Sequence, residues 1–401
     1  MSKVDVKIVI GSNYGDEGKG LATHYFSQNA KKENKKCLNV MFNGGCQRGH
    51  TVELKNDIRH VFHHFGSGTY DSAHTYFDSN FMVNPIFFMR EYVELYNSGI
   101  IPICFISPDC RVSTPYDMLI NQIVERERSK DRHGSCGFGI YETQQRYKDS
   151  KYNLTFSQMV DCTNEELGTY LTNIANDYVY KRIAKYDIKC IPDEIKSILN
   201  SEILIMNYIN DFREMVSIVH QNQFEELMRG YNVIIFEGAQ GLELDEDNIK
   251  GLPHLTPSKT TSQLPLKRIQ NLQNKNIEVC YITRSYFTRH GAGKFPTECN
   301  KSRINNCIED ITNVNNEFQE SIRYGLFDKI EFTNRITADT SISKQIYTDY
   351  TTSVFVTHLN YTNGDLAGNC TLNDIINMFD KAYLSDSKYS EDVKMEENKW
   401  R

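Results

Sequence analysis

Long hydrophobic runs are missing from this chain. No stretch of its 401 residues approaches the roughly 18 apolar residues that a membrane span requires, so no membrane association is expected. An excess of positive charge is missing too. With 45 Lys and Arg against 52 Asp and Glu the net charge is −7, which argues against a nucleic-acid partner, because phosphate-backbone affinity needs clustered cations. The 11 cysteines are odd in number and scattered, with no C-x-x-C pair, which disfavours zinc sites and a disulfide framework. They read as small buried hydrophobes. The opening MSKVDVKIVIGS runs straight into a strand-like VKIVI with no space for a signal peptide, so a cytoplasmic protein is expected.

What is present is enough apolar residue for a substantial core: 39% hydrophobic residues, with 21 Phe and 24 Tyr. Strand-like runs recur at Cys37–Phe42, Ile101–Ile106, Val233–Phe236, Glu278–Ile282 and Ser353–Thr357. Helical patterns such as Pro85–Tyr96 and Tyr116–Arg128 lie between them. That alternation predicts an α/β fold with a largely parallel central sheet. The stretch Thr163–Arg229 is nearly free of Gly and Pro and carries helical periodicity, so a helical excursion from one catalytic domain (residues 1–384) is expected. The charged, poorly periodic tail 385–401 is expected to be frayed or loosely docked.

Four glycine-rich segments follow or border strand-like runs. GSNYGDEGKG (Gly11–Gly20) lies between a strand and a helix, where backbone amides and the helix N-terminus attract anions and Lys19 adds a point charge. It is not a Walker A loop, because Gly20 stands where a magnesium-binding Ser or Thr would be. NGGCQRGHT (Asn43–Thr51) places His50 on a loop after a strand. FEGAQG (Phe236–Gly241) and TRHGAGKFPTE (Thr288–Glu298) complete the set. Each alone is a weak signal.

Taken together and in this order, GDEGKG, GGxxxGHT, FEGAQG and TRxGAGxFPTE resemble the adenylosuccinate synthetase family, from about Ile8 to about Asp328. The resemblance implies a P-loop-like α/β fold, usually homodimeric. It implies a ligase of purine biosynthesis that joins L-aspartate to C6 of a purine 5′-monophosphate with Mg²⁺ and normally GTP. In the family scheme a carboxylate takes the N1 proton, O6 is phosphorylated, and the aspartate amine displaces phosphate. Asp16 matches the base and also a metal ligand, and the Gly49 carbonyl matches a second metal ligand. His50 matches the residue that hydrogen-bonds the transferring phosphoryl group. Gly15, Glu17, Gly18, Lys19 and Gly20 would hold the donor phosphates. Ser135, Cys136, Arg146, Gln240 and Thr256 would hold the purine monophosphate, with Arg146 near the position of an arginine that crosses the dimer.

Two departures carry consequences. The family's arginine-rich aspartate loop corresponds to TNVNNEFQESIRYGLFD (Thr312–Asp328), which retains Arg323, so Arg323 with help from Arg289 is expected to bind aspartate. The family's guanine-reading T-K-x-D is here Thr357-His358-Leu359-Asn360, which weakens the case for GTP and leaves GTP and ATP or dATP open as donors. These changes resemble a phage-type branch that makes 2-aminoadenylosuccinate from dGMP, whereas Asp16 speaks for IMP. A regulatory nucleotide-binding NTPase is the alternative from another class, but it leaves His50 and Gln240 without roles.

Overall fold

The computed structural model describes residues 3–128, 134–188, 191–310 and 321–397. Among them a ten-stranded sheet forms the centre of the molecule. Its strands are β1 (Val4–Gly11), β2 (Cys37–Met41), β3 (His74–Phe77), β4 (Cys104–Ile106), β5 (His220–Gln221), β6 (Val233–Gly241), β7 (Lys275–Arg284), β8 (Thr351–Thr357), β9 (Lys381–Leu384) and β10 (Lys394–Glu397). Their order across the sheet is β10-β9-β8-β7-β1-β6-β2-β3-β4-β5. Every pairing is parallel except that of β9 with β10. The α/β architecture read from the sequence is therefore the observed one.

The central strands are apolar on both faces, as a parallel sheet covered by helices requires. In β1, Ile8 and Ile10 pack with Phe332 and Ile336 of one helix (Lys329–Ile346). Val9 points the other way, into a cluster with Ala22 and Phe26 of α1 (Lys19–Lys32). Helix α2 (Pro85–Asn97) starts where Asn84 accepts hydrogen bonds from the Ile86 and Phe87 amides with Pro85 in the first turn. Helix α3 (Pro115–Arg128) follows, and then α4 (Ile140–Arg146).

The Gly/Pro-poor stretch forms helices at Asn164–Asn173, Val179–Ala184, Asp193–Leu199 and Glu202–Ile218, joined in part by a π-helical turn at Ile174–Tyr178. Its Leu167, Leu171 and Phe212 share one cluster with Met41, Phe77 and Ile106 of the sheet. The chain then returns as β5 at the sheet edge.

The tail expectation needs correcting. Lys394–Glu397 pairs antiparallel with β9, and Ser390 is buried, so this part of the tail is docked. Its KMEE side chains are all exposed, which explains why no apolar alternation marked it as a strand.

Candidate active site at the carboxyl ends of the central strands

The C-terminal ends of β1, β6, β7 and β8 and the loop after β2 bring the glycine-rich segments together, as ligand-binding loops do in open α/β sheets. Gly18 caps α1 at φ 98°, and a Cβ there would lie 2.9 Å from Thr357 Cγ2 at the end of β8. The Thr357 hydroxyl donates to the Glu17 carbonyl at 2.8 Å. A Cβ on Gly20 would meet the His50 Cβ at 3.0 Å, so the GDEGKG loop lies against the GHT segment.

The strand β6 runs through FEGAQG rather than ending at Phe236. Its pairing with β1 shifts between Val9↔Glu237 and Gly11↔Gly241. That irregularity puts Gln240 at φ 65° beside the GDEGKG loop, where a Cβ on Gly15 would be 3.3 Å from Gln240 Oε1.

Within the loop, Glu17 Oε1 accepts from the amides of Asn13 (3.0 Å) and Gly15 (2.9 Å), and Oε2 accepts from Lys19 Nζ at 2.7 Å. The carboxylate thus holds the cation and amides expected for donor phosphates. The Glu17 side chain shapes the loop from within, while its backbone amide remains part of the glycine-rich turn. Asp16 takes the left-handed φ of 60°, which costs a non-glycine residue on the order of 1–3 kcal/mol. Arg284 Nε donates to its carbonyl at 2.5 Å, and its carboxylate lies 3.6 Å from His290 Nε2.

His50 begins a short strand (His50–Glu53) and is buried. Its Nδ1 lies 2.5 Å from Oε1 of Glu237, which is fully buried on β6. Arg48 donates to the same oxygen at 3.1 Å, and Ser67 donates to the carboxylate through its hydroxyl and through its amide. Burial, reinforced by the Arg48 cation, lowers the His50 imidazole to about 4 despite Glu237. Burial alone would raise the Glu237 carboxyl, but Arg48 and the hydrogen bonds from His50 and Ser67 outweigh it and hold the group at about 2. The ligand-free cluster is therefore a carboxylate, a guanidinium and a neutral imidazole.

The two arginines expected at the aspartate site are register partners, Arg289↔Arg323, in a small antiparallel sheet. Arg323 bonds Glu298 and donates to the carbonyls of Gly291 (3.1 Å) and Gly293 (2.9 Å). Arg289 donates to the carbonyls of Ala292 and Lys294 and lies over the Tyr14 ring at 4.6 Å. Both thus also hold the GAG turn in shape. Residues 312–320 of the expected aspartate loop lie outside the described residues.

The Gly134–Gly139 turn packs on that same region, since a Cβ on Gly134 would lie 2.7 Å from the Gly291 Cα. Ser135 donates its hydroxyl to Asn121 at 2.8 Å, while the amides of Gly134 and Ser135 donate to Glu125. Cys136 is partly exposed beside them. Thr256 lies on the partly buried loop after β6, where its amide donates to Leu244 and its hydroxyl is 3.5 Å from that of Ser258. Arg146 corrects an expectation. Its guanidinium is 1% exposed, pairs with Asp117 at 2.9 Å and donates to Tyr152 O, Tyr170 Oη and Val112 O. As the last residue of α4 it turns inward against Asp117 of α3, where its guanidinium is taken up by partners within the chain.

At the expected donor-base position, His358 adopts φ 62°, bonds Thr357 Oγ1 at 2.8 Å and stacks with Tyr361 at a centroid distance of 6.1 Å. Burial and the nearby Arg284 hold its imidazole well below the usual range, so no cation replaces the family's lysine. Asn360 is exposed on the following turn.

Sequence reasoning missed Glu237, Arg48, Ser67, Arg284 and His290. The signal for Glu237 was available, because an acid inside the apolar run VIIFEG needs a buried partner.

Residues 8–346 match the family model described as adenylosuccinate synthetase. Among curated relatives, the adenylosuccinate synthetase of Clostridium botulinum strain Eklund 17B is 29% identical over 302 residues, covering 73% of this chain and 65% of the relative. That of Mesoplasma florum is 28% identical over 309 residues, covering 74% and 66%. The matched stretch thus spans about two thirds or slightly less of the length of these relatives. A structure of fully ligated adenylosuccinate synthetase from Plasmodium falciparum superposes with a TM-score of 0.60 at 19% identity, covering 98% of this chain and 87% of that one. The cyanophage S-2L succinoaminodeoxyadenylate synthetase, solved with dGMP and with dATP as an energy donor, gives 0.62 at 14% identity, covering 98% and 95%. On these matches and on the four converging motifs, the chain belongs to the adenylosuccinate synthetase family.

Proposed function

We propose that the chain is a ligase that joins L-aspartate to C6 of a purine 5′-monophosphate, IMP in the first instance, through a 6-phosphoryl intermediate driven by nucleoside triphosphate hydrolysis. The observation that carries this reading is the meeting of the Asp16 loop, His50 and Gln240 at one end of the sheet. The 6-oxo group of hypoxanthine is amide-like and cannot leave as oxide, so it must first become a phosphate ester. Asp16 takes the N1 proton, which makes O6 nucleophilic. Gln240 binds the purine from the neighbouring irregularity. Lys19 and the loop amides hold the donor phosphates once those oxygens replace Glu17 as their partner. The incoming phosphate charge raises the proton affinity of His50, whose imidazolium then donates to the transferring group. The amine of aspartate, its carboxylates held near Arg323 and Arg289, attacks C6 and expels phosphate.

The Asp16 carboxylate and the Gly49 carbonyl, on loops that touch through Gly20 and His50, would offer the hard oxygen donors that suit Mg²⁺. When bound, it would neutralise phosphate charge on the donor. A soluble homodimer working in the cytoplasm is the setting expected from the family.

A second reading, with dGMP as acceptor and ATP or dATP as donor, is favoured by His358 and Asn360 standing where a lysine and a guanine-reading carboxylate are expected. The test is a matrix of IMP, dIMP, GMP and dGMP against ATP and GTP, each with aspartate and Mg²⁺. Phosphate release that needs both aspartate and a monophosphate supports the ligase. Release that needs neither supports a plain NTPase and overturns it.

A further inference from the structure

The buried carboxylate of Glu237 has no part in the chemistry above, yet it receives four donors. We infer that Glu237 is the positioning residue for His50, fixing the ring so that Nδ1 is always the protonated, tethered nitrogen and Nε2 is the one presented to the phosphate loop. This inference rests on the role proposed for His50.

Three observations support it. The Glu237 oxygen lies 2.5 Å from His50 Nδ1, well inside hydrogen-bonding distance, and Nε2 makes no hydrogen bond among the described residues. The carboxylate cannot turn away. Ser67 donates both its hydroxyl and its amide (3.0 Å) to it, and Arg48, two residues from His50, donates at 3.1 Å. Arg48 is itself fastened to the Phe65 carbonyl at 3.1 Å, so one carboxylate ties together the Arg48–His50 loop, the Phe65–Ser67 turn and strand β6. At the ring's point of attachment, the His50 Cβ would lie 3.0 Å from a Cβ built on Gly20, so the residue stands against the start of α1. A carboxylate accepts from Nδ1–H whether or not Nε2 carries a proton, so the tether holds through phosphoryl transfer. The serine–histidine–aspartate arrangement of hydrolases uses a carboxylate in the same way.

The experiment is a double-mutant cycle on initial rates with the active substrate pair, using the full chain. Glu237→Gln should lower kcat by roughly 10-fold or more, between the loss seen behind metal-bound histidines and the larger one behind the hydrolase histidine, while KM for both nucleotides stays within about threefold. In the His50→Ala background the same change should cost less than about threefold, because nothing remains to orient. A purely structural Glu237 would instead cost as much in both backgrounds, and that result overturns the inference. If Glu237→Gln does not fold, Ser67→Ala, which removes one hydrogen bond to the carboxylate, enters the cycle in its place with the same pattern expected at smaller size. Nitrogen-15 NMR of ligand-free wild type gives a readout independent of activity. Protonated Nδ1 on His50 is expected, and an Nε2–H tautomer with bare Nδ1 overturns the inference. If no substrate pair gives aspartate-dependent phosphate release, the proposed function fails instead, and the NMR result still decides whether Glu237 tethers the ring.

Discussion

Two buried arginine–carboxylate pairs in this protein end in different places. Arg146–Asp117 and Arg48–Glu237 are alike in burial, since none of the four residues is more than 3% exposed. Arg146 satisfies Nε, Nη1 and Nη2 within its own surroundings, through Asp117, Tyr152, Tyr170 and Val112. That network closes on itself. Among the described residues Arg48 Nε has no partner, and the Glu237 carboxylate passes on to His50 beside the GDEGKG loop. Burial therefore does not separate a pair closed on itself from one that reaches the candidate site. The end point of the hydrogen bonds does, and the pair that reaches the site is the less fully satisfied of the two.

The largest expected effect breaks the closed pair. Arg146→Ala strands the Asp117 charge in the interior and should cost about 3–5 kcal/mol of stability. Urea unfolding measures it, with activity per folded molecule nearly unchanged. A variant of wild-type stability that has lost nucleotide binding would restore Arg146 to the site.

The next effect lies on the open side. Asp16→Asn should lower turnover by about 10²-fold or more, roughly 2.7 kcal/mol at the barrier, while stability stays within about 1 kcal/mol of wild type. Near-normal turnover would remove Asp16 as the base. His50→Ala should slow bridge-to-non-bridge oxygen exchange in the donor, the signature of reversible phosphoryl transfer, and leave monophosphate binding largely intact.

Much of this contrast was hidden in the sequence. The strand runs and glycine loops were legible, because a parallel sheet needs continuous apolar segments and anion sites need approachable backbone. The positions of Asp16, Lys19, His50 and Gln240 came with their motifs. Pairing across distance did not. Arg146 and Asp117 are 29 residues apart and Arg48 and Glu237 are 189 apart, and no local pattern records which acid meets which arginine. The helical periodicity around residues 163–229 predicted helices but not that their core is continuous with the sheet. The β10 edge was invisible because an exposed, charged strand lacks apolar alternation.

Acid titration sharpens the comparison. Glu237 sits at about 2 in the folded protein against an ordinary 4.5, as does the buried Glu91 of α2, where His60 and His64 outweigh burial, and His50 sits at about 4 against 6.5. A depressed folded value means that the unfolded chain binds the proton first, so stability is complete above the unfolded value and is lost as pH falls. The His50 contribution should fade from about pH 6.5 to 4, and the two carboxylates should steepen the loss from about 4.5 to 2. Chemical denaturation across pH 3–7 should show His50→Ala flattening the upper part of that curve. A curve unchanged by this substitution would mean that the imidazole is not held neutral.

The smallest expected effect concerns the donor base. ATP or dATP should support the reaction at least as well as GTP, because Asn360 offers an amide where a carboxylate would accept two N–H bonds from guanine, and the neutral, Tyr361-stacked His358 supplies no lysine stem. Asn360→Asp should move preference towards GTP. Asn360 is solvent-exposed on its turn, so water screens any new charge and the gain should lie near 0.2–1 kcal/mol, about fivefold at most. Initial rates with the two donors under matched Mg²⁺ measure it. A wild-type GTP preference above about tenfold, or 1.4 kcal/mol, would place guanine recognition elsewhere, with the Tyr286–His358–Tyr361 ring cluster the first group to substitute. A shift towards GTP in Asn360→Asp larger than that would mean that the base shields residue 360 from water when it binds, and that this exposed turn closes over the donor.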